Sequence, residues 1–105
     1  MRLITKRNLN KAIAPYSDAG GVVISWFSVL KANSWKSLNE IRENYSASVD
    51  EVYGYTIFNI KGNKYRLIVR INYQAQIIYF KKFMTHAEYS KINWSDESEV
   101  RQKLE

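Results

Sequence analysis

The sequence predicts an α+β fold in which an N-terminal strand and helices pack on one face of a small antiparallel sheet, followed by a short C-terminal helix. Apolar residues recur at helical spacing up to about residue 45, whereas from residue 51 onwards β-branched and aromatic residues alternate with polar ones around a Gly-containing loop. A chain of 105 residues is long enough to form one core, and the absence of cysteine excludes disulfides and thiolate metal sites. We therefore expect one domain over residues 1–94, with residues 95–105 as a polar helix or tail.

The first half of the chain reads as a short strand and three helices. Leu3-Ile4 is the strand, and Pro15 ends the first helix. A capping-box pattern, Ser37 to Glu40, begins the third helix. The positions at helical spacing are expected to form the core: Leu9, Ala12, Ile13, Val23, Trp26, Phe27, Leu30, Leu38, Ile41 and Tyr45. We expect Trp26 and Trp35 to pack in the core rather than to stack on nucleic-acid bases.

The second half reads as a three-strand meander. The predicted strands are Val52–Ile60, Lys64–Asn72 and Ile77–Phe83, and the short loop Lys61-Gly62-Asn63 joins the first two as a hairpin. A short helix follows. Within residues 95–105, Val100 and Leu104 are the only apolar contacts that the polar segment offers.

The positive charge of the protein is concentrated in one segment. The net charge is +6, and residues 52–92 alone contain seven bases and one acid. Such a block indicates a polyanionic partner, which is nucleic acid, the ribosome or an anionic membrane surface. A solvated basic face remains the alternative. A membrane-surface role is the weaker interpretation, because the bases lie on predicted strands and not on a basic amphipathic helix.

Alternation along the second predicted strand places Lys64, Arg66 and Arg70 on one side of it. The helices are expected to cover the opposite side, so this basic side is predicted to be open. Tyrosines at positions 53, 55, 73 and 79 lie near enough in sequence to offer rings to bases, although packing within the sheet explains each of them as well.

The single histidine lies in a second capping-box pattern, Thr85-His86-Ala87-Glu88. His86 would begin a helix, where free N–H groups attract phosphate and positive charge disfavours an imidazolium ion. We expect His86 to be uncharged at pH 7 and able to accept a proton, with Tyr89 on the same helix face. The spacing alone leaves open whether His86 is catalytic or only packs at the start of the helix.

These groups suffice for cleavage of RNA without a metal ion or other cofactor. His86 would deprotonate a 2′-hydroxyl, Arg66 or Arg70 would stabilise the phosphoryl oxygens, and Tyr89 or a lysine would protonate the leaving 5′-oxygen.

The segments FNIKGNKYRLIVRI (58–71) and MTHAEY (84–89) resemble the HigB family of type II toxin–antitoxin toxins, which has the RelE-like fold. The similarity extends from MRLIT to about Asn93. It implies an mRNA endoribonuclease, often acting on the ribosome, and a HigA-type helix-turn-helix antitoxin that also binds operator DNA. By position it implies that Asn63, Lys64, Arg66, Arg70, His86 and Tyr89 form the RNA-cutting region. We therefore expect catalytic roles for His86, Arg66, Tyr89 and Arg70, and RNA binding by Asn63 and Lys64 and by the nearby bases Lys61, Lys81 and Lys82.

One further hypothesis is a non-catalytic RNA- or ribosome-binding module that uses the same basic face. The N-terminus has no apolar run typical of a signal peptide, so we expect a cytoplasmic protein without a membrane partner.

Overall fold

The computed structural model describes residues 1–45 and 49–105. Its elements in chain order are β1 (Arg2–Ile4), α1 (Lys6–Ile13), α2 (Gly20–Ala32), α3 (Leu38–Tyr45), β2 (Val49–Val52), β3 (Tyr55–Ile60), β4 (Tyr65–Asn72), β5 (Ile77–Thr85), α4 (His86–Ser90) and α5 (Glu97–Leu104). The predicted α+β architecture with a short C-terminal helix is confirmed. Within the described ranges, every helix is too short or too polar to cross a lipid bilayer.

The five strands form one sheet in the order β1-β5-β4-β3-β2. Strands β2 to β5 form an antiparallel meander of four strands, one more than predicted, and β1 runs parallel to β5 and makes the sheet mixed. A tight hairpin can join only antiparallel neighbours. The three helices α1–α3 and the strands β2–β4 lie between β1 and β5 in the chain, and this long connection allows β1 and β5 to pair in parallel.

The prediction of one strand over Val52–Ile60 is wrong. A two-residue turn at Tyr53-Gly54 divides the segment into β2 and β3, with Val52 paired to Tyr55. Both turn residues have positive φ, 49° and 83°, which is the backbone that a tight hairpin requires. Gly54 was the available signal, because glycine adopts this conformation without a steric cost.

One face of the sheet packs against the first three helices, as expected. Tyr65, Leu67 and Val69 of β4 meet the helix side chains in one apolar cluster. The helices contribute Leu9, Val23, Trp26, Leu30 and Ile41 to this cluster. Trp26 and Trp35 are buried there, so the prediction that they pack in the core is confirmed.

The opposite face of the sheet is not open, and that prediction is wrong. Ile57 and Ile68 make the middle of this face apolar, and α5 covers them with Val100 and Leu104, which are 0% and 1% exposed. The side chain of Asp96 caps α5 by accepting a hydrogen bond from the backbone N–H of Glu99 at 3.2 Å. Of the two predicted alternatives, a polar helix or a tail, residues 97–104 form the helix. This helix separates the two ends of the basic face.

Candidate active site

Arg66 is a buried cation near the beginning of β4, with only 6% of its surface exposed. Its Nη1 donates hydrogen bonds to the carbonyl oxygens of Asn63 and Tyr65 at 3.1 and 3.2 Å, and its Nη2 donates to Oδ1 of Asn63 at 2.6 Å. Within the described residues, no carboxylate oxygen lies within 4.0 Å of this guanidinium. Burial of a charge is costly unless an opposite charge or hydrogen bonds compensate it, and the partners of Arg66 in the described residues are all neutral.

His86 lies beside Arg66 because α4 begins where β5 ends. The predicted capping box is present: the Thr85 hydroxyl accepts from the Glu88 N–H at 3.2 Å, and the Glu88 carboxylate accepts from the Thr85 N–H at 3.0 Å. The N–H of His86 also donates to the carbonyl of Lys64 at 2.9 Å, which ties α4 to the hairpin loop. These contacts fix the start of the helix while the imidazole remains exposed to solvent.

The two imidazole nitrogens of His86 have different neighbours. Nδ1 lies 3.4 Å from Nη2 of Arg66, and Nε2 lies 3.5 Å from the hydroxyl of Ser90. A guanidinium is only a donor, so this contact favours the tautomer with its lone pair on Nδ1 and its proton on Nε2. The ring can therefore accept a proton at the atom that faces Arg66.

Tyr89 completes the group. Its ring centroid lies 4.6 Å from Cζ of Arg66, so the guanidinium stacks on the ring face. Trp94 supports the ring from a centroid distance of 4.7 Å and donates from its indole N–H to the Tyr89 carbonyl at 3.0 Å. We call Asn63, Arg66, His86 and Tyr89 the Arg66 cluster.

The structure places Arg70 and Lys81 in a second group, beyond Ile68 and under the end of α5. Arg70 stacks on Tyr55 with Cζ 4.7 Å from the ring centroid, and its Nη1 lies 3.9 Å from the Glu105 carboxylate. Lys81 contacts the same carboxylate at 2.9 Å and lies at a bulge, where it has no partner in β4. Hydrogen bonds from Tyr55 and Lys81 hold the pKa of Glu105 below its usual range. Arg70 therefore does not lie in the Arg66 cluster.

Lys61 and Lys64 form a third group around an acid that the sequence reading did not single out. Both lysines contact the Asp18 carboxylate, Lys61 at 3.3 Å, and the Tyr65 hydroxyl donates to it at 2.5 Å. Hydrogen bonds from Lys64 and Tyr65 hold the pKa of Asp18 well below its usual range. Lys64 belongs to the turn before β4, not to the strand, so the predicted row with Arg66 and Arg70 does not form. No local pattern indicated Asp18, because 43 residues separate it from Lys61.

Lys82 lies on β5 opposite Ile68, and it lines a groove beside α4 with two further lysines. Of the nine residues predicted for the site, Asn63, Arg66, His86 and Tyr89 come together. The remaining five are distributed over the three other basic positions just described.

Comparison with known proteins identifies the family. Residues 20–92 match the family model of HigB_toxin, described as the RelE-like toxic component of a toxin–antitoxin system. The mRNA interferase toxin HigB of Escherichia coli (strain K12) is 30% identical over 95 residues, covering 85% of this chain and 88% of the relative. The mRNA interferase HigB of Shigella flexneri matches to the same extent. The matched region runs from α2 to the end of α4 and so contains the whole Arg66 cluster; on this evidence the chain belongs to the HigB family of RelE-like toxins.

Proposed function

We propose that this toxin is an mRNA endoribonuclease and that the Arg66 cluster is its active site. The observation that carries the proposal is a buried guanidinium with only neutral hydrogen-bond acceptors, next to an exposed imidazole. A phosphodiester would bring a negative charge to this buried cation. The relatives are named mRNA interferases, which supports mRNA as the substrate.

The reaction begins when an RNA phosphate binds Arg66. The guanidinium directs N–H groups to the phosphoryl oxygens and stabilises the charge that gathers there in the transition state. A phosphoryl oxygen accepts the Nη2 hydrogen that faces His86, so Nδ1 of His86 becomes free to accept the proton of the 2′-hydroxyl. Asn63 and the Tyr89 ring hold the guanidinium plane in place.

The bonds change in one in-line displacement. The 2′-oxygen forms a bond to phosphorus, the bond from phosphorus to the 5′-oxygen breaks, and the products are a 2′,3′-cyclic phosphate and a 5′-hydroxyl end. The proton on the leaving oxygen comes from Tyr89 or from a lysine. Side chains carry every step of this scheme, and a metal ion is not required for it.

The partners follow from the family. A toxic component requires an antitoxin, and we propose a HigA-type protein with a helix-turn-helix domain, through which the complex binds its operator DNA. We also propose that the toxin acts in the cytoplasm on mRNA at the ribosome, because the surplus positive charge suits ribosomal RNA as well as a transcript.

Measuring RNA cleavage by the His86→Ala variant tests the proposed active site directly. Loss of a general base should lower the cleavage rate by a factor of about 10² or more, while RNA affinity and the thermal midpoint of unfolding stay near wild type. Asn39→Ala, an exposed polar change on α3, is the control and should cut normally. Mapping the 5′ ends of an mRNA with and without ribosomes measures the rate and shows whether the ribosome is needed. Normal cleavage by His86→Ala would show that the imidazole has no part in the chemistry.

A further inference from the structure

A groove beside α4 contains three lysines that the Arg66 cluster does not use. β5, the end of α4 and α5 enclose about 350 Å³, and Lys82, Lys91 and Lys103 line it. Across the described part of the chain, none of the three lies within 4.0 Å of a carboxylate oxygen. These ammonium groups therefore differ from Lys61, Lys64 and Lys81, which have Asp18 or Glu105 as counterions.

The acidic residue that lines the groove already accepts hydrogen bonds within the protein. Glu88 lines it, but its Oε1 accepts hydrogen bonds from the N–H and hydroxyl of Thr85 in the capping box. The groove thus presents three cations to solvent around one carboxylate that holds the helix. Its floor is apolar, formed in part by Met84 and Ile92, which are 7% and 9% exposed.

The groove lies beside α4, the helix that also carries His86 and Tyr89 of the Arg66 cluster. α4 has His86 at its first residue, and Lys91 is the residue that caps its end. A helix of this length spans about 7.5 Å, which an extended RNA strand covers within one or two nucleotides. Lys82 lies near the end of β5, and the last residues of that strand lead directly to His86.

We propose that this groove is a second RNA subsite, which binds the phosphates that flank the scissile one on one side. The proposal rests on the proposed function and deepens it. Lys82, Lys91 and Lys103 contact successive phosphates, and the apolar floor receives an unstacked base. RNA fits better than an acidic protein segment because the groove lies beside α4, which begins at His86 of the Arg66 cluster and is capped by the groove residue Lys91.

The test compares Lys91→Gln/Lys103→Gln with the matched control Lys11→Gln/Lys36→Gln, which removes two exposed positive charges from α1 and from the segment before α3. Binding of a long single-stranded RNA, made uncleavable by 2′-O-methylation, is measured over a range of salt concentrations. Each lost phosphate contact lowers the slope of log K against log salt concentration by about 0.7, so the groove variant should show a slope smaller by about 1.4. The control should keep the wild-type slope.

Kinetics separates the subsite from the active site. On a long RNA the groove variant should have a higher KM with kcat unchanged, whereas a trinucleotide that covers only the scissile bond should be cut as well as by the wild type. An unchanged slope, or equal losses on both substrates, overturns the subsite. A weaker affinity for the antitoxin with normal RNA binding also overturns it and assigns the groove to that protein. A reduced slope in the groove variant, together with a wild type that never cleaves RNA, would uphold the subsite and reject the proposed function.

Discussion

Replacing Arg66 with methionine should abolish most of the activity without unfolding the protein. Methionine keeps the apolar stem of the side chain but removes the charge and every donor. The guanidinium is expected to stabilise the transition state as a preorganised donor does, so the variant should cut RNA about 10²–10³ times more slowly, a loss of about 2.7–4 kcal/mol.

The effect on the free energy of unfolding is the difference between two opposing terms. Loss of the hydrogen bond to the buried Tyr65 carbonyl costs about 1–3 kcal/mol, and loss of the stacking on Tyr89 costs about 0.5–2 kcal/mol. Loss of the hydrogen bonds from Arg66 to Asn63 costs less, because Asn63 is exposed and water replaces the guanidinium as the donor. Against these losses, the variant no longer buries a cation without a carboxylate, a penalty of several kcal/mol. We expect a net change within about 2 kcal/mol of zero.

Urea unfolding measures the stability of the variant, and cleavage resolved on a gel measures its rate. Arg7→Met, the same chemical change at an exposed position of α1, is the control in both assays. Inorganic phosphate should raise the urea midpoint of the wild type and of Arg7→Met by more than that of Arg66→Met, because only the first two retain the buried guanidinium as a phosphate ligand. Destabilisation by more than about 3 kcal/mol would mean that Arg66 holds the fold together. Cleavage within tenfold of the wild type would refute the catalytic role.

Two further predictions concern α5. Leu104→Ala should lower the free energy of unfolding by about 2–5 kcal/mol in urea, because the side chain is 1% exposed; a loss below about 1 kcal/mol would mean that α5 is not part of the core. Glu105→Gln should reduce stability at neutral pH, since hydrogen bonds from Tyr55 and Lys81 depress the pKa of this carboxyl. A group with a depressed pKa contributes its full stability above its unfolded pKa, which is about 4.3 for Glu, so the difference between wild type and variant should be complete at pH 7. It should shrink once the pH falls below that value and vanish below the depressed pKa of the folded state. A difference that stayed constant down to pH 2 would contradict the ion-pair account.

Local patterns predicted the parts of this fold that depend on neighbours in sequence. The start of α4 at His86 follows from a capping box of four residues, and the buried side of β4 follows from strict alternation. The joint position of Arg66 and His86 was also accessible, since β4 and β5 are adjacent in the meander and Arg66 pairs with Met84. The turn at Gly54 was visible but was outweighed by the β-branched residues on either side of it.

Contacts between distant segments were beyond those patterns. Val100 and Leu104 share one helix face at a spacing of four, yet nothing in the residues between them indicates which surface they cover. The pairing of Asp18 with the hairpin lysines and of Glu105 with Lys81 joins segments 24 to 46 residues apart. Such pairs depend on tertiary packing, and they divide what the sequence presented as one basic face.

The division of the basic face affects which cations an RNA strand can bind without displacing a carboxylate. Exposed ion pairs contribute only about 0–1 kcal/mol, so a phosphate can displace Asp18 or Glu105, but it must do so before it gains the lysines or Arg70. Arg66 and the groove lysines need no such exchange, because no carboxylate occupies them in the described structure. The difference in free energy favours a strand that lies along α4, from Arg66 to Lys91, over one that follows β4 from Arg66 to Arg70. The position of α5, which covers Ile68 between those two arginines, favours the same path.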